Sequence, residues 1–119
     1  MIYKAISLKQ PWANLIASGK KTIETRTWAT KYRGELVICS SQNPKIEPTG
    51  CAICIVELYD VKPMTKADEK DACIKLFPKA KGWFLKNVRP INPPIPVKGQ
   101  LNIFNLDLDL KQPRQICYI

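Results

Sequence analysis

Between Gly19 and Trp28 the chain places a base, an acid and a base within six residues: Lys21, Glu24 and Arg26, in the run Gly19-Lys20-Lys21-Thr22-Ile23-Glu24-Thr25-Arg26. Each type has a chemistry. A lysine in a partly desolvated cleft acts as a base or polarises a carbonyl. A carboxylate accepts hydrogen bonds from the exocyclic amine of a nucleobase. An arginine grips phosphate or holds a neighbouring carboxylate in place. If residues 22–28 form a strand, side chains alternate between two faces. Thr22, Glu24, Arg26 and Trp28 then share one face, and Ile23, Thr25 and Thr27 the other. The Trp28 indole on that charged face is a stacking surface for an unpaired base, a contact worth about 1–3 kcal/mol. The plainer reading is a surface ion pair between Glu24 and Arg26, worth about 0–1 kcal/mol.

Other chemistries are excluded by composition. The chain has no histidine, so no Ser-His-Asp or Cys-His relay is possible. Acid–base work falls to Lys, Glu, Asp, Tyr or Cys. Cys51-Ala52-Ile53-Cys54 has the form of a metal or redox pair. In a regular strand its two thiols point to opposite faces, and no second such pair supplies the remaining ligands of a tetrahedral site. No metal and no cofactor are therefore expected. Cys39 and Cys54 read as buried thiols, since free cysteine packs as a small hydrophobe. An odd count of five cysteines, behind a start (Met1-Ile2-Tyr3-Lys4) with no long apolar stretch, points to a reducing, cytoplasmic setting and no membrane span.

The 119 residues carry 19 bases against 10 acids, a net charge of +9. That excess favours a polyanionic partner, of which nucleic acid is the commonest. The bases gather in two groups, Lys20, Lys21, Arg26, Lys31 and Arg33 around the motif, and Lys75, Lys79, Lys81, Lys86 and Arg89 later. On one face they would make a phosphate track; otherwise they make a basic, soluble surface.

The elements that must position these residues are short. Residues 3–8 read as a strand. Pro11 suits the first turn of a helix, and Trp12, Leu15 and Ile16 at i, i+3 and i+4 form its apolar face, which places Trp12 in the core. Gly19 is set to end it in a left-handed cap. Residues 34–40 form a nearly continuous apolar run, a central strand, and 51–61 a longer core strand. Thr65 reads as the N-cap of a helix over 65–77 with Ile74 and Phe77 inward. Residues 82–85 read as a further strand. The prolines from Pro90 to Pro96 exclude a central strand and predict an extended connector. Residues 101–108 alternate as a last strand. The predicted organisation is one domain over 1–110 with a short tail over 111–119, in which Ile116, Tyr118 and Ile119 dock back. About six strands and two short helices make an α+β fold with a small barrel.

Over residues 3–108 the sequence resembles the ASCH family. The resemblance is carried by Ile6-Ser7-Leu8-Lys9-Gln10-Pro11-Trp12-Ala13, the pattern Gly19-x-Lys21-x-x-Glu24-x-Arg26, Trp28, and Arg33-Gly34-Glu35-Leu36. Further matches are the strand 50–60, the segment Pro94-Ile95-Pro96-Val97-Lys98-Gly99 and Ile103-Phe104-Asn105-Leu106. The resemblance implies a PUA-like β-barrel closed by helices, with a cleft beside the first helix and the motif strand. It places Lys21, Glu24 and Arg26 in that cleft, with Gln10, Trp12, Trp28 and Arg33 as neighbours, and RNA or a nucleotide-like ligand as the partner. It also implies an enzymatic alternative, deacylation of N4-acetylcytidine with Lys21 and Glu24 as catalytic groups. The family's amidohydrolases use a threonine nucleophile where this chain has Glu24; Thr22 and Thr25 lie near it in other registers. A distant acid would have to come from Glu57 or Glu69. A ribonuclease or a protein-interaction module are further family possibilities.

Overall fold

A computed structural model describes residues 1–110; the expected docking of the tail lies outside them. The chain runs β1 (Ile2–Leu8), α1 (Trp12–Ala17), β2 (Ile23–Arg26), β3 (Gly34–Ser40), β4 (Cys51–Pro63), a 3-10 turn (Lys66–Asp68) leading into α2 (Glu69–Ala72), β5 (Lys81–Pro96) and β6 (Ile103–Asp107). The strands form one sheet in the order β2-β5-β4-β3-β1-β6. It curls into a half-barrel. β2 and β6 lie at its two ends and do not pair.

β3 occupies the centre because it can be buried on both faces: every residue from Leu36 to Ser40 is buried. It pairs with β4 antiparallel and with β1 parallel. Parallel neighbours need a crossover, which α1 and β2 provide. Alternation then sorts the apolar side chains into two cores. Ile6, Leu8, Ile38, Val56 and Trp83 pack inside the curl against Ala13 and Ile16 of α1. Ala5, Val37, Cys39, Ile55 and Phe104 pack on the other side. A smaller third cluster joins Ile23 of β2 to Met64, Ala72 and Ala80.

Three expectations change. The proline-rich segment is not a connector: Pro90 to Pro96 lie in β5 and pair with β4, for instance Ala52 with Ile95 and Cys54 with Pro90. β2 flanks β5 only over Lys81–Phe84, so the later residues have a partner on one side only, and an edge tolerates residues without an N–H. The helix predicted over 65–77 shrinks to the 3-10 turn and α2, because Cys73 turns left-handed at φ 57°. Its start is as expected: the Thr65 backbone N–H and hydroxyl both donate to Asp68, at 2.8 and 3.0 Å. Third, the register of β4 shifts between Ala52 and Cys54. The bulge cancels the strict alternation, so Cys51 packs against the same core that holds Cys54. Burial pushes the Cys39 and Cys54 thiols up to about 12, so both stay protonated and pack as apolar groups. Among the described residues no group of three or more His, Cys, Asp and Glu is placed to hold a metal, and no helix is long and apolar enough to cross a membrane.

Candidate functional site

A cleft of about 940 Å³ opens where the half-barrel fails to close. One wall is β2, with Glu24, Thr25 and Arg26, followed by Trp28. The other is the end of β1 at Ser7 and Lys9 together with the segment 97–102 before β6. β6 pairs with β1 only as far as Ile6, so the end of β1 is left uncovered on that side. Arg26 spans the gap: its Nη2 donates to the Ser7 carbonyl at 3.2 Å.

The floor is set by the turn between α1 and β2. α1 ends at Ala17; two residues on, Gly19 takes a φ of +85° that no β-carbon residue adopts cheaply, and its N–H donates to the Ile16 carbonyl at 3.0 Å. The chain then locks onto the end of α2, with the Thr22 N–H donating to Asp71 at 2.9 Å. This buries Lys21, which is only 2% exposed. Its ammonium donates to the Ala72 carbonyl at the C-terminal end of α2, lies 3.7 Å from Oε1 of Glu24, and sits 5.3 Å from the centroid of the Trp12 ring. On the other side of the carboxylate, Nε of Arg26 lies 3.3 Å from Oε2. Glu24 is thus held between two cations.

Burial dominates the electrostatics. It raises the Glu24 carboxyl above its ordinary range, and Lys21 and Arg26 oppose the rise without cancelling it. It lowers the Lys21 ammonium below its ordinary value, against the pull of Glu24. Both shifts bring the two groups nearer to exchanging a proton, the condition sites use for acid–base chemistry.

The sequence-derived residues divide. Lys21, Glu24, Arg26 and Trp28 line one cleft. Trp28 also packs edge-on against the fully buried Trp83, at 4.8 Å between centroids. Trp12 joins them: it is half-buried, and its ring lines the cleft, not the core that helical spacing assigned it. Gln10 does not line it. It is buried behind the helix, where its amide donates to Asn14 at 2.9 Å and to the Pro48 carbonyl at 3.1 Å, fixing α1 to the loop before β4. Arg33 is exposed elsewhere, donating to the Thr30 and Tyr32 carbonyls. Neither candidate distant acid lines the cleft. Glu57 accepts from Asn87 at 3.0 Å, and Glu69 from the Leu76 N–H at 2.8 Å. Glu24 is the one carboxylate among the lining residues. The later basic group contributes nothing to the cleft; the two further cations are Lys9 and Lys98. Lys9 adjoins the Gln10-Pro11-Trp12 run, and Lys98 lies in the segment after the prolines, but nothing local marks either as facing Lys21.

Comparison with known proteins agrees with this architecture. Residues 6–95 match the ASCH domain. The chain is 26% identical over 132 aligned residues to activating signal cointegrator 1 of Mus musculus, and likewise to that of Homo sapiens; the alignments cover 90% of this chain and 23% of each relative. The chain therefore spans under a quarter of those proteins. Among solved structures, ASCH from Zymomonas mobilis superposes with a TM-score of 0.63 at 21% identity, covering 78% of this chain and 72% of the other. A single-residue variant of that protein gives 0.59 at the same identity, covering 78% and 74%. The curled six-stranded sheet with two short helices is the PUA-like fold of these structures. With most of its length matched in order, the chain belongs to the ASCH family.

Proposed function

We propose that the cleft binds RNA or a nucleotide-like ligand. The observation that carries this reading is the row of buried Lys21 and Glu24 and half-buried Arg26 in a cleft lined by two indoles, with Lys9 and Lys98 among the lining residues. Four cations against one carboxylate favour an anionic ligand, and Trp12 and Trp28 offer faces for a base. Arg26 is the cation best placed to meet such a ligand, since its side chain is 28% exposed while its Nε stays ion-paired to Glu24 at 3.3 Å. A volume of about 940 Å³ is at the large end of small-molecule sites, which run to about 1,000 Å³. The test is indole fluorescence. Uridine oligonucleotides quench the parent protein, and Arg26→Gln weakens the response while leaving the melting temperature near the parent's. Unchanged quenching in Arg26→Gln, or none in the parent, contradicts the reading.

One observation favours a second reading. The raised Glu24 and lowered Lys21 suit hydrolysis of N4-acetylcytidine, with Glu24 as base for water and Lys21 stabilising the oxyanion. Water would attack the acyl carbon, the C–N bond would break, and acetate and cytidine would leave. Release of cytidine by the parent but not by Glu24→Gln is its signature. Support is weaker here, because among the described residues no second acid lines the cleft.

A further inference from the structure

Away from the cleft, the outer face of β4 and β5 carries a row of alternating character. The Lys62 ammonium lies 4.8 Å from the centroid of Phe84. The Phe84 and Tyr59 rings meet edge-on at 6.3 Å. The Lys86 ammonium lies 4.7 Å from the centroid of Tyr59. The order is cation, ring, ring, cation. It arises from a register shift between Leu58 and Asp60 that sets Tyr59 out of the ladder while Phe84 pairs with Asp60. Tyr59 stays 45% exposed, so its ring is not there to fill a core.

Two acids adjoin the row, and both are engaged. Asp60 accepts from the Val61 N–H at 2.8 Å and faces Arg33 and Lys62 at 4.0 and 3.7 Å. Glu57, opposite Lys86 in register, accepts from Asn87. One small apolar cluster separates the row from the cleft. Phe84 packs on the same small cluster as Ile74 and Phe77, and both of those line the cleft.

We infer that this row is a second contact surface for single-stranded nucleic acid, used by nucleotides that continue out of the cleft. The inference rests on the cleft reading above. Its physical basis is that planar bases stack on aromatic side chains whatever their sequence, once the Lys62 and Lys86 ammonium groups lying over the two rings swing off them to the phosphates. A chain of net charge +9 draws such a polyanion to the whole surface.

The experiment compares uridine oligonucleotides of about 3 and about 12 nucleotides, the shorter filling one stacking site and the longer spanning several. Three proteins are titrated: the parent, Arg26→Gln in the cleft, and the row variant Tyr59→Ala with Lys62→Gln and Lys86→Gln. The row variant is expected to lose about tenfold in affinity for the longer oligonucleotide. Its logarithmic salt slope falls by about 1.4, for two lost phosphate contacts. It binds the shorter one like the parent, whereas Arg26→Gln weakens both. The variant carrying only Lys62→Gln and Lys86→Gln keeps the slope change without touching Tyr59. Equal binding of the longer oligonucleotide by parent and row variant overturns the inference and leaves the face to a protein partner. So does equal loss on both lengths, which marks a general effect on the fold. If Arg26→Gln binds both like the parent, the cleft reading falls, whatever the row variant does.

Discussion

Among the described residues, Glu24 and Asp60 each stand between two cations, and the two triads differ almost only in where the fold puts them. Glu24 stands between Lys21 and Arg26 at 3.7 and 3.3 Å. Asp60 stands between Lys62 and Arg33 at 3.7 and 4.0 Å. In the first triad the Lys21–Glu24 pair is sunk in the cleft floor, with side-chain exposures of 2% and 11%, beside Arg26 at 28%. The second is open, at 43% for Asp60 and 58% for Lys62. Water screens the open triad, and each of its pairs is worth about 0–1 kcal/mol. The buried triad has given up hydration, so its charges depend on each other and on the Ala72 carbonyl. Proximity of opposite charges is thus common to both; desolvation is what makes one of them a candidate site.

The sharpest way to break this contrast is to empty one position in the buried triad. Lys21→Ala removes a partner of Glu24 and of Ala72 together, and breaking a buried pair typically costs about 3–5 kcal/mol. Urea unfolding of the variant is expected to show a loss of that size. A loss under 1 kcal/mol would put Lys21 in the same class as Lys62. Lys21→Ala is therefore a poor probe of binding, and Arg26, partly exposed at 28%, is the better one.

Glu24→Gln has a smaller expected cost, about 1–3 kcal/mol for weakened buried hydrogen bonds, but it carries a sign that tests the electrostatics. Burial raises the Glu24 carboxyl, so the folded protein holds that proton more tightly than the unfolded chain. Stability from this group therefore rises as pH falls through its folded pKa toward the ordinary 4.5. The parent should gain on Glu24→Gln as a series of melts moves from neutral to mildly acid buffer. The opposite trend would mean that the two cations outweigh desolvation. Lys21 acts in the other direction: its lowered ammonium makes stability rise as pH climbs from its folded pKa toward 10.5.

Least of all should happen at the open triad. Asp60→Asn keeps an acceptor for the Val61 N–H and should shift stability by no more than about 1 kcal/mol. Thermal melts of this variant beside Glu24→Gln give the comparison directly. A larger loss at Asp60 would show that exposure is not what separates the triads.

What was legible in the sequence follows the same divide between local and distant. That Glu24 and Arg26 share a face was readable because period-2 alternation is local, and Gly19 because a helix end needs a residue tolerant of positive φ; the strand expected over 22–28 is shorter, and Trp28 reaches the cleft from the bend after β2. Trp12 was misplaced by a correct rule: it shares a helical face with Leu15 and Ile16, but it is the first residue of α1, where that face runs out into the cleft. The prolines of β5 were misread because whether a strand is an edge depends on topology, here on β2 beginning only at Ile23, opposite Phe84, so that among the described residues no strand flanks β5 beyond that residue on this side. Lys9 and Lys98 line one cleft from opposite ends of the sequence, and no spacing rule joins them. The thiols of Cys51 and Cys54 were assigned to opposite faces by an alternation that a bulge cancels.

The most direct test of the account is a salt titration of single-stranded RNA binding by the parent, Arg26→Gln and Lys98→Gln. The expected result is an affinity that falls linearly with salt on logarithmic axes. Each variant should be weaker and its slope reduced by about 0.7, the contribution of one phosphate on a single strand. Binding by both variants that matches the parent in affinity and slope would contradict the claim that this cleft holds RNA.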